Sequence, residues 1–165
     1  MMAKKLKRNN PKANPEPVVV IGSDHAGYKT KQGLLKFLAG KGYTVVDVGG
    51  FDPDAHDDYP DYAAEVAKLV AEDKAARGIL ICGSGTGMVI AANKVPGIRA
   101  SVVYDEYSAK MARHDNDANV MALRARNFNT AKEPRLVKIF LETPFSNLPR
   151  HKRRIAKIAT LERKR

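Results

Sequence analysis

The stretch Cys82-Gly83-Ser84-Gly85-Thr86-Gly87 sets a thiol and two hydroxyls among three glycines. Glycines let the backbone approach a ligand closely, and amides that open a helix attract an anion, so this loop suits a negatively charged group. No Gly-Lys-Ser/Thr follows at P-loop spacing. The dinucleotide fingerprint belongs after a first strand, with an acid about 20 residues on, and does not fit either. Cys82 stands where the positive end of a following helix would favour a thiolate, the form that acts as base or nucleophile. A buried structural residue is the commoner fate of a lone cysteine. Its place at a strand end, beside a glycine loop, favours a functional one.

Three further clusters carry polar chemistry. In Gly22-Ser23-Asp24-His25-Ala26-Gly27, an adjacent carboxylate and imidazole can share a proton and exchange it with a ligand hydroxyl. The plainer reading is a helix cap, Ser23 or Asp24, beside an incidental surface histidine. The polar stretch Arg113–Val120 contains His114, Asp115 and Asn116 and offers partners for a polyhydroxylated ligand, or simply satisfies a loop backbone. Asp58-Tyr59-Pro60-Asp61-Tyr62 is the weakest cluster and could be no more than a helix start. Near the end, Arg150-His151-Lys152-Arg153-Arg154 opens a helix, and Arg150 and Arg154 share a face from which two guanidinium forks could grip a phosphate. Ile155, Ile158 and Ala159 lie toward another face and would dock that helix.

Elements that could position these groups alternate along the chain. Short β-branched runs at Val18–Ile21, Thr44–Val48, Gly78–Cys82, Ile98–Val103 and Asn119–Leu123 read as strands. Helices are expected over Tyr28–Gly40, from about Pro60 to Asp73, over Gly87–Lys94, over Glu106–Arg113 with Asp105 as cap, and near 130–142 and 146–163. Such β-α alternation implies a parallel sheet covered by helices on both faces, with ligands bound beyond the carboxyl ends of the strands. Each cluster above follows a strand or opens a helix there.

At 165 residues the chain is expected to form one domain over 18–165 behind a leader. The net charge of +11 is carried by the ends: residues 1–17 hold five basic and one acidic side chain, residues 150–165 eight and one, and the remainder sixteen of each sign. The run 1–17, rich in Lys, Asn and Pro, reads as a disordered basic leader. The neutral body offers no broad basic surface, so a phosphate is favoured over nucleic acid as partner. Apolar runs are strand-sized, which argues against a membrane span and a signal peptide. A single cysteine fits a cytoplasmic setting, and no Cys/His cluster has metal-ligand spacing.

Together and in this order, GSDHAG at 22–27, DYPDYA at 58–63, GILICGSGTGMVIAANKVPGIRA at 78–100 and NDANV at 116–120 resemble the ribose-5-phosphate isomerase B family, whose relatives include galactose-6-phosphate and allose-6-phosphate isomerases. The resemblance implies an α/β, Rossmann-like three-layer fold with a five-stranded parallel sheet and a C-terminal helix. It also implies a dimer or tetramer with sites shared between subunits, and no cofactor or metal. By position, Cys82 would be the base that moves a proton between C1 and C2 of an aldose phosphate, and Ser84 the assisting hydroxyl. The amides of Gly83, Gly85, Thr86 and Gly87 would stabilise the enediolate. Asp24, His25, Tyr59 and Asn116 match sugar-contacting positions; Arg126, Arg150 and Arg154 match phosphate-binding ones. In one departure, many members read His-Asn-Asp where this chain has Asp115-Asn116-Asp117, so ring opening would fall to Asp115 or to the Asp24–His25 pair. Another is Arg124, where glycine is common; close to Arg126 in sequence, it could add a phosphate contact or simply point to solvent. The expected reaction is ribose 5-phosphate to ribulose 5-phosphate, a step of pentose phosphate metabolism. Another sugar phosphate (tetrose, allose or galactose) and a non-catalytic sugar-phosphate binder are the alternatives.

Overall fold

A computed structural model describes residues 18–162; the expected leader at 1–17 and the last residues, 163–165, lie outside the described residues. Five strands form one parallel sheet: β1 (Val19–Ser23), β2 (Val45–Asp47), β3 (Arg77–Cys82), β4 (Ala100–Val102) and β5 (Val120–Arg124). Their order is β2-β1-β3-β5-β4: the chain goes from β1 to one edge at β2, crosses back over β1 to β3 and continues past β5 to the other edge at β4, so the connections leaving β1 and β3 run in opposite directions. The helices are α1 (Tyr28–Gly40), α2 (Tyr59–Ala71), α3 (Thr86–Ala92), α4 (Glu106–Asn116), α5 (Glu133–Glu142) and α6 (Pro149–Glu162), with 3-10 turns at His25–Gly27 and Thr130–Lys132.

The period-2 alternation of β3 divides the core into two layers. Ile79 and Ile81 pack with Leu34 and Leu38 of α1, Ala109 and Ala112 of α4, and Leu136, Val137 and Phe140 of α5. Leu80 and Cys82 face the opposite layer, with Ala63, Val66, Ala67 and Val70 of α2 and Met88 and Ala92 of α3. β3 is fully flanked, by β1 and by β5, and its buried apolar run reflects cover on both faces. Its end therefore sits deep in the middle of the carboxyl edge.

Where elements differ from the expectation, the reason is local. β2 and β4 span three residues each, shorter than their apolar runs, because both are edge strands with one pairing partner. Helix α4 runs through Asn116 rather than ending at Arg113, so most of the expected polar loop is helical. It stops where Asp117 turns left-handed at φ 45°, clamped by Arg113 through a 2.7 Å ion pair. Its start is as expected: Asp105 accepts from the Ser108 amide at 2.6 Å, and the Ser108 hydroxyl accepts from the Asp105 amide, which closes a capping box. Helix α6 docks less than expected. Ile155 and Ala159 are half-buried, but Ile158 remains 42% exposed, and His151 is the residue of α6 that is fully packed away. Among the described residues no helix is long and apolar enough to cross a membrane.

One buried charge ties the edge of the sheet to α1. Lys31, fully buried, places its ammonium 2.6 and 2.8 Å from the two carboxylate oxygens of Asp47 and donates to the Gly49 carbonyl. It thereby fixes the exit of β2 and the start of the loop that runs to Tyr59. Removing one member of a buried ion pair costs about 3–5 kcal/mol. Because Asp47 keeps 21% of its side chain in water, Lys31→Met is expected to cost about 2–3 kcal/mol, read as a lower urea midpoint with an unchanged slope. An unshifted midpoint would show that Lys31 does not anchor this edge.

Candidate active site at the carboxyl edge

The three central strands β1, β3 and β5 end together, and beyond them opens a cleft of about 560 Å³. Asp24 enters from β1, Tyr59 from the start of α2, and Cys82, Gly83, Ser84 and Gly87 from the β3–α3 turn; Arg124, Arg126 and Asn127 enter from the end of β5. At the turn, Cys82 is 5% exposed and its Sγ accepts a hydrogen bond from the Gly85 amide at 3.1 Å. The bend needs Gly85, whose φ of +78° is left-handed and whose added Cβ would lie 3.1 Å from the Leu123 carbonyl oxygen. Gly87 serves proximity instead: a Cβ there would lie 2.5 Å from Tyr59 Cζ, so the tyrosine ring lies directly on the loop. The Ser84 hydroxyl accepts from the Thr86 amide at 3.3 Å, inside the same turn.

The two members of the Asp24–His25 pair part company. Asp24 is buried and accepts from the Gly27 amide at 3.0 Å, as a cap residue does; burial raises its carboxyl above the usual carboxylate range. His25 turns to a residue that sequence reasoning passed over. Its backbone amide donates to Asp57 Oδ1 at 3.1 Å, and its Nδ1 lies 2.7 Å from the same oxygen. Burial works against the Asp57 charge, but hydrogen bonds from His25 and Tyr62 outweigh it and hold the carboxyl below its ordinary value. An ionised Asp57 accepts the Nδ1 proton, which leaves Nε2 as the ring nitrogen available for proton exchange. Asp57 sits in an irregular loop among other acids, and only its place just before the DYPDYA stretch hinted at it.

His25, Gly85 and Thr86 adjoin residues that line the Cys82 cleft without lining it themselves, and Asp115, Asn116, Arg150 and Arg154 are not among its lining residues either. Asp115, at the end of α4, lies 2.7 Å from His114 Nδ1 and 3.6 Å from His151 Nδ1. The His114 hydrogen bond, against partial burial, lowers its carboxyl below the usual range. Arg150 Nε donates to His151 Nε2 at 3.0 Å, and Ser146 Oγ is 2.6 Å from His151 Nδ1. Asn116 faces a groove between α3, β4 and α6, and Arg154 is exposed. Donor atoms of His114, Asp115 and His151 fall within 4.8 Å of one another, a grouping that their sequence spacing concealed. Both imidazole nitrogens of His151 are already engaged and a guanidinium adjoins them, so the cluster fits a hydrogen-bond network better than a cation site.

On the other side of the same strand ends, a cavity of about 380 Å³ lies between α1 and the start of α5, lined by Ala26, Thr30, Leu34, Ala125 and Glu133 among others. Glu133 is 1% exposed and its Oε1 has no hydrogen-bond partner. Burial, partly offset by a hydrogen bond with Thr30, pushes its carboxyl up to about 7.

The chain matches the ribose/galactose isomerase family model over residues 19–158. It is 40% identical over 145 residues to the ribose-5-phosphate isomerase B of Mycolicibacterium paratuberculosis, covering 88% of this chain and 91% of that one. Among solved structures, the ribose-5-phosphate isomerase B of Clostridium thermocellum superposes with a TM-score of 0.86 at 43% identity, over 89% of this chain and 98% of that one. That of Mycoplasma genitalium, determined with bound ribulose 5-phosphate, gives 0.85 at 40% identity over 90% and 97%.

The buried acid makes stability depend on pH. A carboxyl raised in the folded state stabilises it while protonated, and that contribution is lost as pH rises from the unfolded value of 4.5 through about 7. The wild type is expected to lose about 3 kcal/mol across that window relative to Glu133→Gln, which stays protonation-independent at this site. Denaturant titrations at intervals from pH 5 to 8 read the difference; parallel curves for the two proteins would refute the assignment.

Proposed function

The chain belongs to the ribose/galactose isomerase family, and on that premise we propose that it interconverts ribose 5-phosphate and ribulose 5-phosphate through an enediolate, using its own side chains. The observation that carries the reading is Cys82 Sγ, held by the Gly85 amide in the wall of a cleft that Arg126 also lines.

In the open-chain aldose, the Cys82 thiolate removes the proton from C2, and the electron pair moves onto the carbonyl oxygen at C1. The resulting enediolate lies against the amides of the Gly83–Gly87 turn, which stabilise charge that develops only as the reaction proceeds. The thiol returns its proton to C1 while the C2 hydroxyl loses its own, and the ketose forms with no net change in protons. Ser84, which lines the cleft, is the group we assign to carry that hydroxyl proton between the oxygens, and Tyr59 packs against the loop and closes one wall. The base, the anion-stabilising turn and the phosphate-binding Arg126 supply what an enediol isomerisation requires.

The sugar must first open. As the bond from C1 to the ring oxygen breaks, we assign His25, oriented by Asp57, to give a proton to the ring oxygen, and Asp24, which lines the cleft beside it, to take the proton of the anomeric hydroxyl so that the carbonyl forms at C1. Asp115, Asn116, Arg150 and Arg154 lie outside their own chain's cleft, and we infer that they act on the site of a second copy in a homodimer or homotetramer. Asp115 in place of the usual histidine supports a second reading, the same reaction on a shorter or longer sugar phosphate.

An assay following ribulose 5-phosphate from ribose 5-phosphate tests the reaction. Turnover by the wild type and a loss of about 10³-fold or more in Cys82→Ala are expected. Turnover retained by Cys82→Ala would remove the proposed base, and an inert wild type would move the assignment to another sugar phosphate. For ring opening, His25→Ala is expected to lose about 10²-fold in kcat, whereas His114→Ala stays near wild type. The reverse pattern would place ring opening at the α4 terminus.

A further inference from the structure

We propose that Arg124 is a substrate-binding residue of this cleft, a second guanidinium that grips the phosphate together with Arg126 from within the same subunit. The inference rests on the sugar-phosphate reading above and deepens it. Arg124 is the register partner of Cys82 across β3 and β5. Alternation puts it on the Cys82 side of the sheet: Val120 and Ala122 share the layer of Leu80 and Cys82, whereas Met121 and Leu123 belong to the other. At the strand end its side chain lines the cleft beside Arg126.

The two arginines also lack the carboxylate that engages several others, a trait they share among the described residues with Arg77, Arg150, Arg153 and Arg154. Arg99 and Arg113 pair with Asp117, and Arg135 pairs with Glu106. Among the described residues, the side chains of Arg124 and Arg126 have no carboxylate partner. Arg124 Nε is shielded from water with no hydrogen-bond acceptor, a condition shared by Arg77 Nε and Arg113 Nε, so a ligand oxygen has the terminal nitrogens of Arg124 to meet rather than Nε. Its guanidinium is nonetheless positioned, with Cζ 4.8 Å from the centre of the Phe128 ring. Stacking uses the flat face of the group and leaves its N–H edge for an oxyanion, the geometry in which a guanidinium binds phosphate bidentately. Arg126 lies over Gly83, where an added Cβ would meet its Cδ at 3.2 Å, in the cleft that Arg124 also lines.

The test uses the full-length chain with Arg124→Gln and Arg124→Lys. For ribose 5-phosphate, Arg124→Gln is expected to raise KM roughly 10- to 100-fold and to weaken competitive inhibition by inorganic phosphate by the same factor, with kcat held within about twofold. Arg124→Lys, which keeps the charge but loses the fork and the stack, should fall between. An unchanged KM and phosphate inhibition, or a loss confined to kcat, would overturn the proposal. If ribose 5-phosphate is not turned over, calorimetric titration with inorganic phosphate still decides it. Affinity lost in Arg124→Gln supports the assignment even though the substrate reading has failed. Equal affinity, or no binding to the wild type, overturns it.

Discussion

The hydrogen bond from the Gly85 amide to the Cys82 sulfur organises the carboxyl edge of this molecule. It ends the central strand in a turn so tight that position 85 must be left-handed. That turn sets the direction of α3, and with it the wall onto which the Tyr59 ring packs. β1 and β5 flank β3 through continuous parallel ladders, so Asp24 and Arg124 reach the same edge at fixed spacing. The sulfur thus stands at the origin from which the other cleft residues are placed. Hydrogen bonds from the Ala125 and Arg126 amides to the carbonyls of Cys82 and Gly83 extend the β3–β5 ladder past the strand ends and hold the second wall.

Two ionisable groups that never reach the cleft support it from behind. Lys31 closes the edge by β2, and Glu133 caps the space beneath the α1–α5 layer. Their solutions differ. Lys31 has Asp47 and a carbonyl around its terminal nitrogen, whereas Glu133 has no cation beside it and keeps its proton through much of the acidic range. Low dielectric forces one choice or the other on any ionisable group that leaves water.

Much of the fold was legible in the chain, and the illegible parts share a cause. Helix α1 ran over the residues its apolar spacing indicated, and Asp105 capped α4 as its residue type suggested. Both depend on neighbours a few positions away. The strand ends carrying Asp24, Cys82 and the glycine turn were likewise readable, because apolar runs that stop at glycine or polar residues mark them. What local pattern could not supply were contacts between distant segments. Asp57 meets His25 across 32 positions, and His151 meets Asp115 only because α6 folds back on α4. The extent of α4 depended on Arg113 reaching Asp117 and the Ala118 carbonyl, a tertiary bond that keeps polar residues helical. Ile158 shows the opposite error: apolar spacing indicated a docked face, and this chain alone leaves it uncovered.

The placement of the sulfur and of the imidazole also divides the site by how readily its parts open. Cys82 terminates a strand paired on both sides and packed in both layers, and amides of such a strand exchange with solvent only when most of the protein unfolds. His25 depends instead on Asp57, from an irregular loop that reaches the sheet past a three-residue edge strand. Gentle warming would therefore release the imidazole while the thiol still stood in place. Under the roles proposed for these two residues, such a half-melted protein would fail first on closed-ring sugars and would go on processing open-chain ones.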